Sequence, residues 1–96
     1  MEVIRDKDGN IIRRSKNLRG VLEYARTHII SKIGADRIGK EEGKLMVLFH
    51  DGASYETNFA SFGALKQWIR ARRGWYGLPL TVNGRQITWT DTVVTW

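Results

Sequence analysis

Three turn dipeptides decide most of what this chain can fold into. Asp8-Gly9, Asp51-Gly52 and Asn83-Gly84 each separate two short runs rich in β-branched or alternating apolar residues. Asp-Gly and Asn-Gly favour two-residue turns with positive φ, whose twist matches that of paired strands. They predict three hairpins: Glu2–Arg5 with Ile11–Arg14, Lys44–His50 with Ser54–Ala60, and Leu80–Val82 with Gln86–Trp89. His28–Ile33, β-branched and closed by Gly34, predicts a further strand, and Asp91–Trp96 a last strand or a tail. Gly34–Gly43 reads as a mobile loop or a twisted extension of the strands beside it, its glycines serving bends or close contacts.

Two segments between the hairpins change period. Leu18, Val21, Leu22 and Ala25 recur at i, i+3, i+4 and i+7, predicting an amphipathic helix over Asn17–Thr27 with Ser15 or Asn17 capping its start. Ser61 is the expected N-cap of a second helix, with Leu65, Trp68 and Ile69 as its buried stripe and Gly74 as its C-cap. The order ββ-α-βββ-α-ββ predicts an α+β domain: an antiparallel sheet with both helices on one face. Its expected core is Leu18, Val21, Leu22, Val47, Phe49, Phe59, Leu65, Trp68 and Ile69. One proline and no Ser/Gly tract leave residues 1–96 as a single domain. The absence of cysteine excludes disulfides, thiolate metal sites and cysteine nucleophiles. No run approaches the ~20 apolar residues of a membrane span, and Met1-Glu2-Val3-Ile4-Arg5-Asp6 has no signal-peptide character. The expected setting is therefore cytoplasmic, with no membrane partner.

Sixteen Lys and Arg against ten Asp and Glu leave a formal charge of +6, which favours an anionic partner. The densest basic stretch, Leu65 to Gly77, interleaves cations with aromatic rings. On a helix, Lys66, Arg70 and Arg73 share one face opposite Leu65, Trp68 and Ile69, while Arg72 lies nearer the apolar stripe and snorkels along it. Trp75 and Tyr76 follow at once. Cations beside rings can hold phosphates while stacking on bases; equally, last-turn cations complement the helix dipole and Trp75 can cap the core. Arg13, Arg14, Lys16 and Arg19 either extend this basic surface, if the helices lie side by side, or form only the solvated edge of a hairpin.

Catalytic and cofactor motifs are weak. Gly34 to Lys40 matches the start of a phosphate-binding loop, but Glu41 stands where that loop needs Ser or Thr. Asp51 neighbours His50 and reads as a turn residue rather than half of a relay. No metal set or nucleophile elbow assembles, and paired carboxylates occur only as Glu41-Glu42 in a loop, so neither cofactor nor catalysis is expected.

Lys16-Asn17-Leu18-Arg19-Gly20-Val21-Leu22-Glu23-Tyr24-Ala25-Arg26, Asp51-Gly52-Ala53, Thr57-Asn58-Phe59-Ala60-Ser61 and the stretch from Trp68 to Gly77 resemble small proteins of bacterial and phage genomes and mobile elements. That set has no assigned activity, so the resemblance implies a genomic setting and no site residue. It is compatible with two non-enzymatic roles. The first is nucleic-acid binding through the phosphate backbone by Lys66, Arg70, Arg72 and Arg73 with Trp75 and Tyr76. The second is inhibition of a host defence complex, anti-CRISPR fashion, by docking on an acidic protein surface. A purely structural, self-associating protein is a third reading.

Overall fold

The structure, a computed structural model, describes residues 2–87. Within them the chain forms β1 (Glu2–Arg5), β2 (Ile11–Ser15), α1 (Arg19–Ala25), β3 (Ile30–Ile38), β4 (Glu42–Phe49), β5 (Ser54–Phe59), α2 (Phe62–Arg70), β6 (Leu80–Val82) and β7 (Arg85–Ile87), with a 3-10 turn at Arg73–Trp75 after α2. The α+β class and the element order follow the sequence reading. The expectations at Thr88, Trp89 and Asp91–Trp96 lie outside the described residues.

One seven-stranded sheet carries everything, in the order β2-β1-β5-β4-β3-β6-β7. Five neighbour pairs are antiparallel. The sixth, β3 with β6, is parallel, through Ile33↔Leu80 and Ala35↔Val82, so the sheet is mixed rather than wholly antiparallel. The cause is the connection: β5 and β6 run the same way, and α2 carries the chain between them across β4 and β3. A same-sense return needs such a crossover. α1 makes a second one, from β2 to β3. Both helices therefore lie on one face and run in the same direction.

Alternation along the strands separates that face from the other. Ile4, Ile33, Ala35, Leu45, Val47, Phe49, Tyr55, Leu80 and Val82 turn towards the helices and are buried. Val21 and Tyr24 of α1, and Phe62, Leu65 and Ile69 of α2, close the core over them. Of the expected core, Leu18, Leu22, Phe59 and Trp68 are only half-buried, whereas Trp75 is 8% exposed. Trp75 meets Trp68 edge-to-face at 5.3 Å and takes the deeper place because the chain folds back after α2.

Local chemistry sets the boundaries. Ser61 is the N-cap of α2, its Oγ accepting from the Ala64 amide at 3.0 Å. Gly74 is not the C-cap. The helix ends at Arg70 with Ala71 in right-handed conformation, and Arg72, at φ −90° and ψ 69°, starts the 3-10 turn. α1 is shorter than the spacing predicts because Asn17 and Leu18 both take positive φ before it. Ser15 Oγ accepts from the Gly20 amide at 2.5 Å and Glu2 Oε1 from the Leu18 amide at 2.8 Å, so neighbouring strands supply the missing caps.

The 34–43 segment is the strand extension, not the mobile loop. β3 and β4 stay paired to Ile38↔Glu42, and no helix follows Lys40. Gly43 faces α2: a Cβ there would lie 3.0 Å from Leu65 Cδ2 and 3.2 Å from Phe62 Cα. The Phe62 amide also donates to the Glu41 carbonyl at 2.6 Å. Hairpin and helix are thereby fixed to one another.

Candidate nucleic-acid interface

Because both helices run the same way, their C-terminal ends finish at one end of the sheet, beside the β4–β5 turn. The two breaks leave Arg26 just beyond α1, Arg70 on the last turn of α2, and Arg73 in the 3-10 turn, all three exposed. Beside Arg26 lies a groove with a cavity volume of about 350 Å3. Arg26, Thr27 and His28 line one side, Gly74 and Trp75 the other, and among the described residues no acidic one lines it.

The sequence-derived set is regrouped rather than kept. Lys66 and Arg70 share a face of α2, but Arg73 does not continue it, since the helix stops at Arg70. Arg72 lies beside the apolar stripe as expected, but its head does not snorkel away from it: the guanidinium lies over the Trp68 ring, 4.9 Å from the centroid. Trp75 is withdrawn as a stacking platform because its faces are covered by the fold. Tyr76 is half-buried, and its hydroxyl donates to the Arg70 carbonyl at 2.6 Å, tying the 3-10 turn to the end of α2.

Arg13, Arg14, Lys16 and Arg19 do not extend this surface. Arg14, Lys16 and Arg19 flank the start of α1, at the opposite end of the sheet, and Arg13 reaches the later part of the same helix. Arg13 pairs with Glu23 at 3.2 Å. Arg14 and Lys16 line a second concavity of about 630 Å3, into which the Glu2 carboxylate also faces. That carboxylate further accepts from the Tyr55 hydroxyl at 2.7 Å. Burial first, and then this bond, push the Tyr55 phenol well above its usual range.

Sequence reasoning missed one constellation. Asp51 turns towards α1 and His28, not towards its neighbour His50. The Tyr24 hydroxyl donates to Asp51 Oδ2, the Ala53 amide donates to Oδ1 at 2.9 Å, and His28 Nε2 stands 3.9 Å from Oδ2. The His28 ring stacks on Tyr24 with centroids 3.7 Å apart, and its Nδ1–H donates to the Tyr24 carbonyl at 3.1 Å. The bond to Asp51 pushes the Tyr24 phenol up to about 12, and holds the Asp51 carboxyl below its usual range with help from the Ala53 amide. No local pattern announces this, because residues 24 and 51 meet only through the sheet. The cluster locks the β4–β5 turn onto α1. Among the described residues no group of three His, Asp or Glu is placed to hold a metal ion.

The helix-free face of the sheet is a poorer nucleic-acid surface. Lys44 and Glu56 pair across it at 2.7 Å, and the register puts no aromatic ring there among the described residues. No described helix is long and apolar enough to cross a membrane.

Comparison with family models, with curated proteins and with solved structures returned no match. Function is therefore argued from the site alone.

Proposed function

We propose that this chain is a non-enzymatic module that binds nucleic acid through its phosphates, at the end of the sheet where both helices finish. One observation carries the reading: exposed Arg26 lines a groove with no acid among the described residues of its lining, and exposed Arg73 directly precedes Gly74 of that lining, with exposed Arg70 on the last turn of α2, on a chain of formal charge +6. Exposed guanidiniums suit bidentate phosphate contacts. With Trp75 inside the core, affinity rests on charge rather than on aromatic stacking.

Fluorescence anisotropy with a labelled oligonucleotide across a salt series tests this. Three neutralised phosphates give a log–log slope of about −2 on a single strand and about −3 on duplex. Arg73→Gln then lowers the magnitude by roughly 1 and weakens all sequences alike. No binding at around 50 mM salt, where such contacts are strong, overturns the reading.

A second reading has its own observation. β2 is a sheet edge, pairing only with β1 among the described residues, and it exposes Ile11 and Ile12 beside Arg13 and Arg14. An unpaired edge carrying apolar and basic side chains suits an extended acidic segment of a protein partner. This is the inhibitor role, directed at a host complex.

A further inference from the structure

Phosphate contacts leave unused the hydrophobic side chains of the groove, which sit within a mixed polar and apolar lining. Ile30 and Trp75 are buried in it and Leu78 is half-buried. Ile29, which lines the same groove, is 70% exposed, the most exposed large hydrophobic among the described residues. A charge-only surface has no use for a bare isoleucine beside Arg26. Exposed aliphatic surface next to cations fits a ligand with both an anionic backbone and flat apolar faces.

We propose that the groove receives one unpaired base of a single strand. Ile29 lies against the base, while Arg26 and Arg73 hold the phosphates on either side. The inference rests on the nucleic-acid reading above and adds the strand state to it. Size agrees: about 350 Å3 stands at the lower end of the roughly 300–1,000 Å3 of small-molecule pockets, enough for a ring system and too small for a helix. Charge agrees as well, since the lining holds Arg26 and, among the described residues, no carboxylate. An apolar wedge beside an arginine is a known way to hold a base out of its stack. A duplex keeps its bases inside and offers the groove only phosphate and sugar.

The test compares two labelled strands of equal length and charge, oligothymidylate and the same backbone with abasic sites, against the full chain. The oligothymidylate binds about tenfold tighter, the gain from covering part of one aliphatic side chain and one base face. Ile29→Ser removes that advantage and leaves the salt slope as it was. Because Ile29 is exposed, the variant melts with the parent, which separates loss of contact from loss of fold. An abasic strand that binds as tightly, or an advantage that survives Ile29→Ser, overturns the inference and leaves the phosphate reading standing. Failure of both strands to bind removes the two together.

Discussion

Tyr24 shows how much one side chain of this protein is asked to do. Its ring packs edge-to-face on Phe49 at 4.7 Å, carries the stacked His28, and ends in a hydroxyl bonded to Asp51. A phenol moved from the usual 10.0 to about 12 binds its proton more tightly folded than unfolded. The stability this contributes is complete below pH ~10 and is lost as pH rises from ~10 through ~12. For Asp51 the sign reverses: its contribution is present above the ordinary carboxyl range and disappears as pH falls through the lowered folded value. Phenolate absorbance titration reads the first effect directly. In Asp51→Asn the Tyr24 midpoint moves down towards the ordinary tyrosine value; a midpoint left near 12 contradicts the assignment. None of this was legible locally, because Asp-Gly announces a turn but not what the turn touches. The two tryptophans teach the same lesson. Helical period selects Trp68 for the core, yet Trp75, placed by a fold-back that no periodicity describes, is the more deeply buried.

At the scale of the element, the sequence was most readable where a structure closes on itself. Asn83 and Gly84 both take the positive φ that their hairpin turn requires, and Ser61 caps α2 by its own hydroxyl. What was not readable was the seating of one element on another. Gly43 marks such a seat. Gly43→Ala pushes a methyl against the Phe62 Cα, backbone that cannot swing aside, at a cost of about 1–3 kcal/mol. Thermal melting then falls by about 4–8 °C per kcal/mol in a domain this small. Gly34→Ala, in the same hairpin, meets only Thr81 Oγ1 at 3.5 Å and Met46 beyond it, ordinary contacts, and melts close to the parent. Equal melting of the two variants means that α2 does not rest on β4 as described. The end of α2 was misjudged for a related reason. Gly74 has the residue type of a C-cap, but Tyr76 draws the chain back onto the Arg70 carbonyl and ends the helix sooner.

For the whole molecule, the sequence specified every described strand but not their order. Hairpin signals act over a few residues, whereas the parallel pairing of β3 with β6 joins residues 33–35 to 80–82 and depends on where α2 lands. The candidate site suffers from the same limit, since Arg26 and the Gly74-Trp75 pair share a groove only after two crossovers have laid both helices in one direction.

Those crossovers also sort the sheet by when its parts can assemble. β3, β4 and β5 are consecutive in sequence and adjacent in space, so they close short loops. The β1–β2 and β6–β7 pairs dock on opposite flanks of that meander and must first bring distant chain together, at a higher entropic cost. The flanks are then the weaker cooperative units. Native-state hydrogen exchange resolves them: Val47 and Tyr55 amides exchange only with global unfolding, while Ile4 and Thr81 open earlier, and so does Ile33, whose amide donates to the Pro79 carbonyl beside β6. Uniform protection across the sheet contradicts this order. If the flanks do open first, the two grooves share a fate. The Arg26 groove leans on α1, which packs on β1 and β2 and takes its caps from Ser15 and Glu2, so the opening of the β1–β2 hairpin that dismantles the concavity around Glu2 also loosens the wall that carries Arg26.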